Sequence, residues 1–232
     1  SNFDLKYFNK FVKKLELGLQ GKVNGYVSFF DLIENPYFHS QIDATGLHML
    51  DVNFGDLSFN TRWDINNQSI KVNLFTQLDG VRPITITGNY SPDNEYIDLG
   101  MNINNMNLSF LSKILEGIFY DIKGDVSGNF KLSGKIQKPQ LLGTMDIRNG
   151  GFSISYLKTH YEFDRAKVRL ENNKIVVDKV YGHDIENNPA TAEGEVVFKS
   201  MSDITYNFFI TGKDLLVVNL KPGENKYFYD KW

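Results

Sequence analysis

Leu5-Lys6-Tyr7-Phe8-Asn9-Lys10-Phe11-Val12 through Leu19-Gln20-Gly21-Lys22-Val23-Asn24-Gly25 returns later in the chain. There it reads Leu108-Ser109-Phe110-Leu111-Ser112-Lys113-Ile114-Leu115 through Ile122-Lys123-Gly124-Asp125-Val126-Ser127-Gly128. Each copy runs on to a proline, Pro36 and Pro139, and then to a glycine, Gly46 and Gly150. The copies align without a gap from Leu5 to Pro36. Two linked copies of one unit predict an elongated, open-ended β architecture rather than a globule around one active site.

Each copy opens with helical spacing. Leu5, Phe8, Phe11, Val12 and Leu15 share one face of a helix, as do Leu108, Leu111, Ile114, Leu115 and Ile118. Asp4 and Asn107 suit the N-caps, and each helix is expected to run for about three turns. The rest alternates with period two. Val23, Gly25, Val27 and Phe29 alternate with polar or mixed residues, and so do Val126, Gly128, Phe130, Leu132, Gly134 and Ile136. After each proline the alternation resumes in Phe38-Ser40-Ile42-Ala44 and in Leu141-Gly143-Met145-Ile147.

Further strand runs are predicted over 47–54, 57–65, 69–75, 84–90 and 96–102 in the first copy. The second offers 152–156, 161–163, 167–170, 175–180, 192–198, 204–211 and 215–220. Asn66-Asn67, Asp79-Gly80, Pro92-Asp93-Asn94, Asn149-Gly150, Asn172-Asn173 and Asn187-Asn188-Pro189 punctuate them as turns. Short connections make sequential strands neighbours, hence an antiparallel meander. Such alternation suits a sandwich or barrel core as well as an open sheet; the repeat favours an open sheet curled into a trough with an apolar interior. The expected organisation is a first helix-plus-β repeat over 3–103, a second over 104–220, and the start of a C-terminal extension over 221–232, within a longer protein.

Composition narrows the function. Hydrophobic residues make up 41% of the 232, with 18 Phe and 12 Tyr, too many for a disordered chain. Net charge is −3 with lysines scattered among acids, so no nucleic-acid footprint is expected. The absence of cysteine removes disulfides, thiolate metal sites and cysteine nucleophiles. No run approaches the ~20 apolar residues of a membrane helix. His39, His48, His160 and His183 share no spacing. The group His183, Asp184 and Glu186 reads as a polar turn rather than a metal corner, since zinc wants three or four convergent ligands. Asp93, Glu95 and Asp98 read as a solvated hairpin, not a calcium loop. Phosphate-loop, dinucleotide and nucleophile-elbow motifs are lacking. No enzyme, cofactor or metal is expected.

The second copy resembles a known family. Asp121-Ile122-Lys123-Gly124-Asp125-Val126-Ser127-Gly128 and Leu132-Ser133-Gly134-Lys135-Ile136-Gln137-Lys138-Pro139-Gln140-Leu141-Leu142-Gly143 are similar to the G-x-V-x-G … G-x-x-x-x-P-x-x-x-G signature of TamB-like proteins. Asn149-Gly150-Gly151-Phe152, Thr159-His160-Tyr161-Glu162-Phe163, Lys174-Ile175-Val176-Val177-Asp178, Ala192-Glu193-Gly194-Glu195-Val196 and Asp214-Leu215-Leu216-Val217-Val218-Asn219 also resemble that family's C-terminal domain. The resemblance implies a taco-like β-groove in a periplasmic protein of diderm bacteria. It further implies an inner-membrane anchor outside this chain and an outer-membrane barrel partner of the Omp-eighty-five type. Its implied roles are phospholipid transport between the membranes and assembly of outer-membrane proteins.

The candidate surface is the in-phase apolar set Val23, Val27, Phe29, Phe38, Ile42, Val126, Phe130, Leu132, Ile136, Leu141, Met145 and Ile147. Lined along one face, it is expected to shield phospholipid acyl chains, each methylene worth about 0.8 kcal/mol out of water. The alternatives are a strand-accepting scaffold for outer-membrane proteins and a purely structural envelope module.

Overall fold

The computed structural model describes residues 3–6, 18–30, 37–50, 52–200 and 203–220. It is mainly β. The strands are β1 (Phe3–Asp4), β2 (Gln20–Phe30), β3 (Tyr37–Met49), β4 (Val52–Asp64), β5 (Ser69–Gln77), β6 (Ile84–Ser91) and β7 (Tyr96–Asn107), followed by β8 (Phe119–Lys135), β9 (Gln140–Ile154), β10 (Thr159–Glu171), β11 (Lys174–Asp184), β12 (Pro189–Ser200) and β13 (Asp203–Gly212). They form one 13-stranded sheet in strictly sequential order. The expected antiparallel meander is therefore present.

The chain divides into two compact units. The first comprises Ser1–Met106 with Ser127–Thr144, and the second Asn107–Val126 with Met145–Trp232. Among the described residues, the fully buried hydrophobic side chains of the first unit are Ala44, Leu50 and Phe54. Those of the second are Leu108, Val126, Ala166, Val168, Val180 and Leu220.

Turn chemistry accounts for the hairpins. Asp79 and Gly80 both take positive φ, 50° and 80°, the conformation a two-residue type I′ turn demands. Leu78 and Val81 close that turn with reciprocal N–H···O bonds of 3.0 Å. At the β4–β5 turn the Asp64 carboxylate accepts from the Asn66 N–H at 3.1 Å and the Asn67 side-chain amide at 3.0 Å. Lys71 pairs with it at 2.6 Å. The hydrogen bonds from Lys71 and Asn67 hold the Asp64 carboxyl down to about 2.

Several expectations are corrected. The helix expected after Asn107 is a 3-10 turn, Leu108–Phe110, running into a short α1, Leu111–Ile114. Asn107 caps it as expected, its side chain accepting from the Ser109 N–H at 2.8 Å. It stops early because Leu115 leaves helical geometry and Gly117 takes φ 91°. The Ile118 and Phe119 N–H groups then both bond back to the Leu115 carbonyl. The first expected helix falls mostly on 7–17, outside the described residues.

The run 47–54 is not one strand. The chain leaves β3 after Met49, with Leu50 at φ 54° and its side chain buried, and resumes as β4. Conversely, Asn149-Gly150 is not a turn. β9 runs through it, and Asn149 spends its positive φ of 49° within the strand. Residues 215–220 are not a strand either; the Asn219 N–H ties that segment to the Leu157 carbonyl at 2.8 Å.

Candidate functional site

In an antiparallel ladder, directly opposed residues share a face. In the first unit one row runs Gly25↔Ile42↔Phe59↔Leu74↔Ile86↔Met101, from β2 to β7. A parallel row runs Val27↔Ser40↔Thr61↔Val72↔Gly88↔Leu99. On the same side Trp63↔Ile70↔Tyr90↔Ile97 continue the pattern. The other face is polar: Ser28↔His39↔Arg62↔Lys71↔Asn89↔Asp98 and Tyr26↔Gln41↔Asn60↔Asn73↔Thr87↔Gly100. The period-two pattern of each strand thus becomes a two-sided sheet without a slip of register across these rows.

The last strands of this unit keep the phase. Asn102 donates from Nδ2 to Oδ1 of Asn129 at 2.9 Å, which places Asn129 on the polar face. Strand alternation then puts Phe130 and Leu132 on the apolar one. Gly143 lies against the Phe130 ring, so Leu141, two residues away, joins them. Lys131 and Asp98 pair at 3.0 Å on the polar side.

The apolar face carries no second layer of described residues. Not one side chain of the row through Ile42, Phe59 and Leu74 is fully buried. Val27 is 53% exposed, Phe29 63% and Ile136 50%. Val23, Phe38, Ile42, Phe130, Leu132 and Leu141 are half-buried. Nine of the expected surface residues therefore belong to the first unit.

Three belong to the second unit, and one of them needs correction. Val126 is only 2% exposed. It is a packing residue, unable to offer its methyls to a ligand. Met145 and Ile147 are half-buried and flank Asp146, which is held by Arg165 through Nε at 2.8 Å and through the other guanidinium arm. The Arg165 hydrogen bonds lower the Asp146 carboxyl and raise the guanidinium. Strand alternation sends Met145 and Ile147 to the side opposite that ion pair.

The second unit is two-sided as well. Val168↔Val177↔Gly194↔Phe208 form an apolar row, and Arg169↔Val176↔Glu195↔Asn207 the neighbouring mixed one. A register shift between Val177 and Val180 keeps Val180 in phase with Ala192 and Ile210. Arg169 reaches Asp178 at 3.2 Å and Glu171 at 3.3 Å, and Lys174 pairs with Glu195.

One polar cluster here was not foreseen. His160 bridges Ser153, through Nδ1 at 2.8 Å from Oγ, and Glu162, through Nε2 at 3.1 Å from Oε1. Lys123 pairs with the same Glu162 oxygen, and Asp121 stands 3.8 Å from His160 Nδ1. Lys123, then His160, draw the Glu162 carboxyl below its usual range. The set has the residue types of a hydrolytic triad, but Ser153 is buried, only 3% exposed. Its role is to tie β8, β9 and β10 across the polar side. The signal was in the sequence, since His160 and Glu162 stand two apart on a strand and must share a face.

Asp184 likewise serves the fold. Its two oxygens accept from the Glu186 and Asn188 N–H groups at 2.9 Å each, the Asn188 amide at 3.0 Å and the Leu216 N–H at 2.8 Å. Burial pushes this carboxyl up, but the four donors outweigh it and hold it at about 2. With its acceptor positions filled, Asp184 fastens the β11–β12 turn to the segment after β13, as the polar-turn reading expects.

Comparison with family models, curated proteins and solved structures finds no match to this chain.

Proposed function

We propose that this chain is a segment of a TamB-like envelope protein, curled as two tandem repeats into a trough whose apolar interior shields phospholipid acyl chains between two membranes. The observation that carries the proposal is the row Gly25–Ile42–Phe59–Leu74–Ile86–Met101, which no described residue buries fully, backed by a polar row on the other side of the same strands. An apolar surface of this kind binds without direction. Acyl chains slide along it while headgroups remain in water at the rim, and no reacting side chain is needed. Localisation in the periplasm, an inner-membrane anchor outside this chain and an outer-membrane barrel partner belong to the same proposal and rest on the motif resemblance.

The test places a photo-crosslinking residue at Phe130, on the apolar side, and at its neighbour Asn129, on the polar side, in cells carrying the full-length protein. Lipid adducts at Phe130 but not Asn129 are the expected result. Adducts at neither position overturn the conduit.

A second reading, strand addition by an outer-membrane protein, draws support from β13. It is last in the strand order, and Phe208, Phe209 and Ile210 stand exposed on it. Peptide adducts at β13, abolished by Thr211→Pro, are what that reading requires.

A further inference from the structure

After β13 the chain bends at Lys213-Asp214, with Asp214 at φ 56°, and returns over the second unit as an extended strap, residues 215–220. Among the described residues this strap pairs with no strand. Leu216 is instead gripped through both of its backbone groups. Its N–H donates to Oδ2 of Asp184 at 2.8 Å, and its carbonyl accepts from the Tyr161 hydroxyl at 3.0 Å. Tyr161 and Asp184 are direct partners across β10 and β11, so they rise from one face. The Tyr161 ring is packed on Phe152, centroids 5.8 Å apart, and Phe152 on Phe119 at 5.5 Å, which fixes where the hydroxyl points. Further along, the Asn219 N–H donates to the Leu157 carbonyl at 2.8 Å. The strap alternates as a strand does: Leu216 and Val218 are half-buried and Leu220 buried, whereas Val217 and Asn219 are exposed. Thr159 falls midway in sequence between the anchors Leu157 and Tyr161. It is 1% exposed, and its hydroxyl has no partner among the described residues.

We infer that this face is a docking groove for an extended apolar segment of another polypeptide, and that residues 215–220 are its exchangeable resident. The resident defines the chemistry of the occupant. Asp184 and Tyr161 read the N–H and the C=O of a single residue, groups that any extended peptide presents. The burial of Leu216, Val218 and Leu220 sets an apolar side chain at every second position. Backbone bonds then supply affinity and alternate side chains supply selection. The groove outlasts the departure of the strap, because Asp184 keeps the Glu186 and Asn188 donors that shape it. A strap anchored at Leu216 and Asn219, beside a Thr159 hydroxyl left unpaired, holds less firmly than β13, which is laddered to β12 from Asp203 to Gly212. This docking requires neither lipid on the apolar face nor a strand added at β13.

The test titrates the whole chain against a fluorescein-labelled synthetic peptide of residues 213–220, read by anisotropy. The tethered strap competes at an effective concentration of roughly millimolar, so the parent chain binds the peptide weakly. Leu216→Pro removes the strap's N–H bond to Asp184 and alters no residue of the groove. That chain is expected to take up the peptide roughly tenfold more tightly than its parent. Within it, Tyr161→Phe deletes the hydroxyl, keeps the ring, and weakens uptake roughly fivefold. A peptide carrying proline in place of Leu216 binds it at least as poorly. Amide exchange on the parent needs no variant: Leu216 and Asn219 are expected to exchange roughly tenfold faster than the amides of β11, which has a strand on each side. The inference is overturned if the Leu216→Pro chain, folded by circular dichroism, binds the peptide no better than its parent, or if the proline peptide binds equally. It is also overturned if Leu216 and Asn219 exchange no faster than β11, whether or not the variant folds. Dimers of the parent that the peptide does not dissociate would make a second copy the occupant, and sink it too.

Discussion

Gly143→Ala is the sharpest single probe of how the apolar face is laid down. A Cβ at Gly143 would stand 2.5 Å from Cδ1 of Phe130, 2.6 Å from the Asn129 carbonyl oxygen and 3.0 Å from the Phe130 Cα. Carbon atoms rest at about 3.5–4.0 Å, so the ring must withdraw by roughly 1 Å. The ring can turn aside; the carbonyl moves only if β8 moves with it. Overpacking of this kind costs about 1–3 kcal/mol, offset by about 0.5–1 kcal/mol that alanine gains over glycine within a strand. The net loss of about 1 kcal/mol or somewhat more corresponds to a Tm lower by roughly 2–5 °C for a chain of this size. Thermal and urea denaturation followed by circular dichroism reads the loss, and amide exchange in β8 and β9 locates it. In a Phe130→Ala background the ring clash disappears and the carbonyl clash remains, so the penalty should shrink by at least ~0.5 kcal/mol in a double-mutant cycle. A neutral Gly143→Ala, or an equal penalty with and without the ring, would refute the claim that Gly143 exists to seat Phe130.

Three other outcomes are expected. Asp184 is held at about 2, below the usual carboxylate range, so its contribution is complete above pH ~4 and is lost as pH falls toward 2. Asp184→Asn should flatten that acid limb in a circular dichroism titration, and parallel acid limbs in both chains would count against the four-donor account. Thr159 is buried and its hydroxyl has no hydrogen-bond partner among the described residues, so Thr159→Val should hold or raise the Tm; a clear drop would mean the hydroxyl is satisfied in solution. Val126→Ala removes two buried methyl-sized increments and should cost about 1.5–2.5 kcal/mol in urea denaturation while leaving Phe130 crosslinking intact.

The two-sided sheet was legible because strand alternation and register carry the same information twice. Val23, Val27 and Phe29 alternate in sequence, and Ala44, Ser40 and Phe38 are their partners across the ladder. Turns built on Asp79-Gly80 and Asn66-Asn67 were legible because backbone conformation or local hydrogen bonding demands those residues. What was not legible depended on neighbours distant in sequence. Asn149-Gly150 carries the composition of a hairpin turn, yet β9 continues through it with Asn149 left-handed inside the strand. Asp164-Arg165 looked like a gap between two short strands, whereas Arg165 has a carboxylate partner in Asp146 and β10 passes through unbroken. Val126 alternates in phase with Phe130, and nothing local distinguishes a methyl facing solvent from one 2% exposed. The aromatic pairs at the β2–β3 end were visible as composition only; their placement on both faces required the register Phe30↔Tyr37 and Phe29↔Phe38.

The sequential strand order has a kinetic consequence. Every strand from β2 to β7 finds its partners in the strand just made and the one about to be made. The loop to be closed at each step is one hairpin long, so the entropy of closure stays small for an all-β chain. Pairing can therefore keep pace with synthesis, each hairpin zipping onto the last as it emerges. Lengthening such a protein by another hairpin asks nothing of the hairpins already folded beyond the free edge they end on.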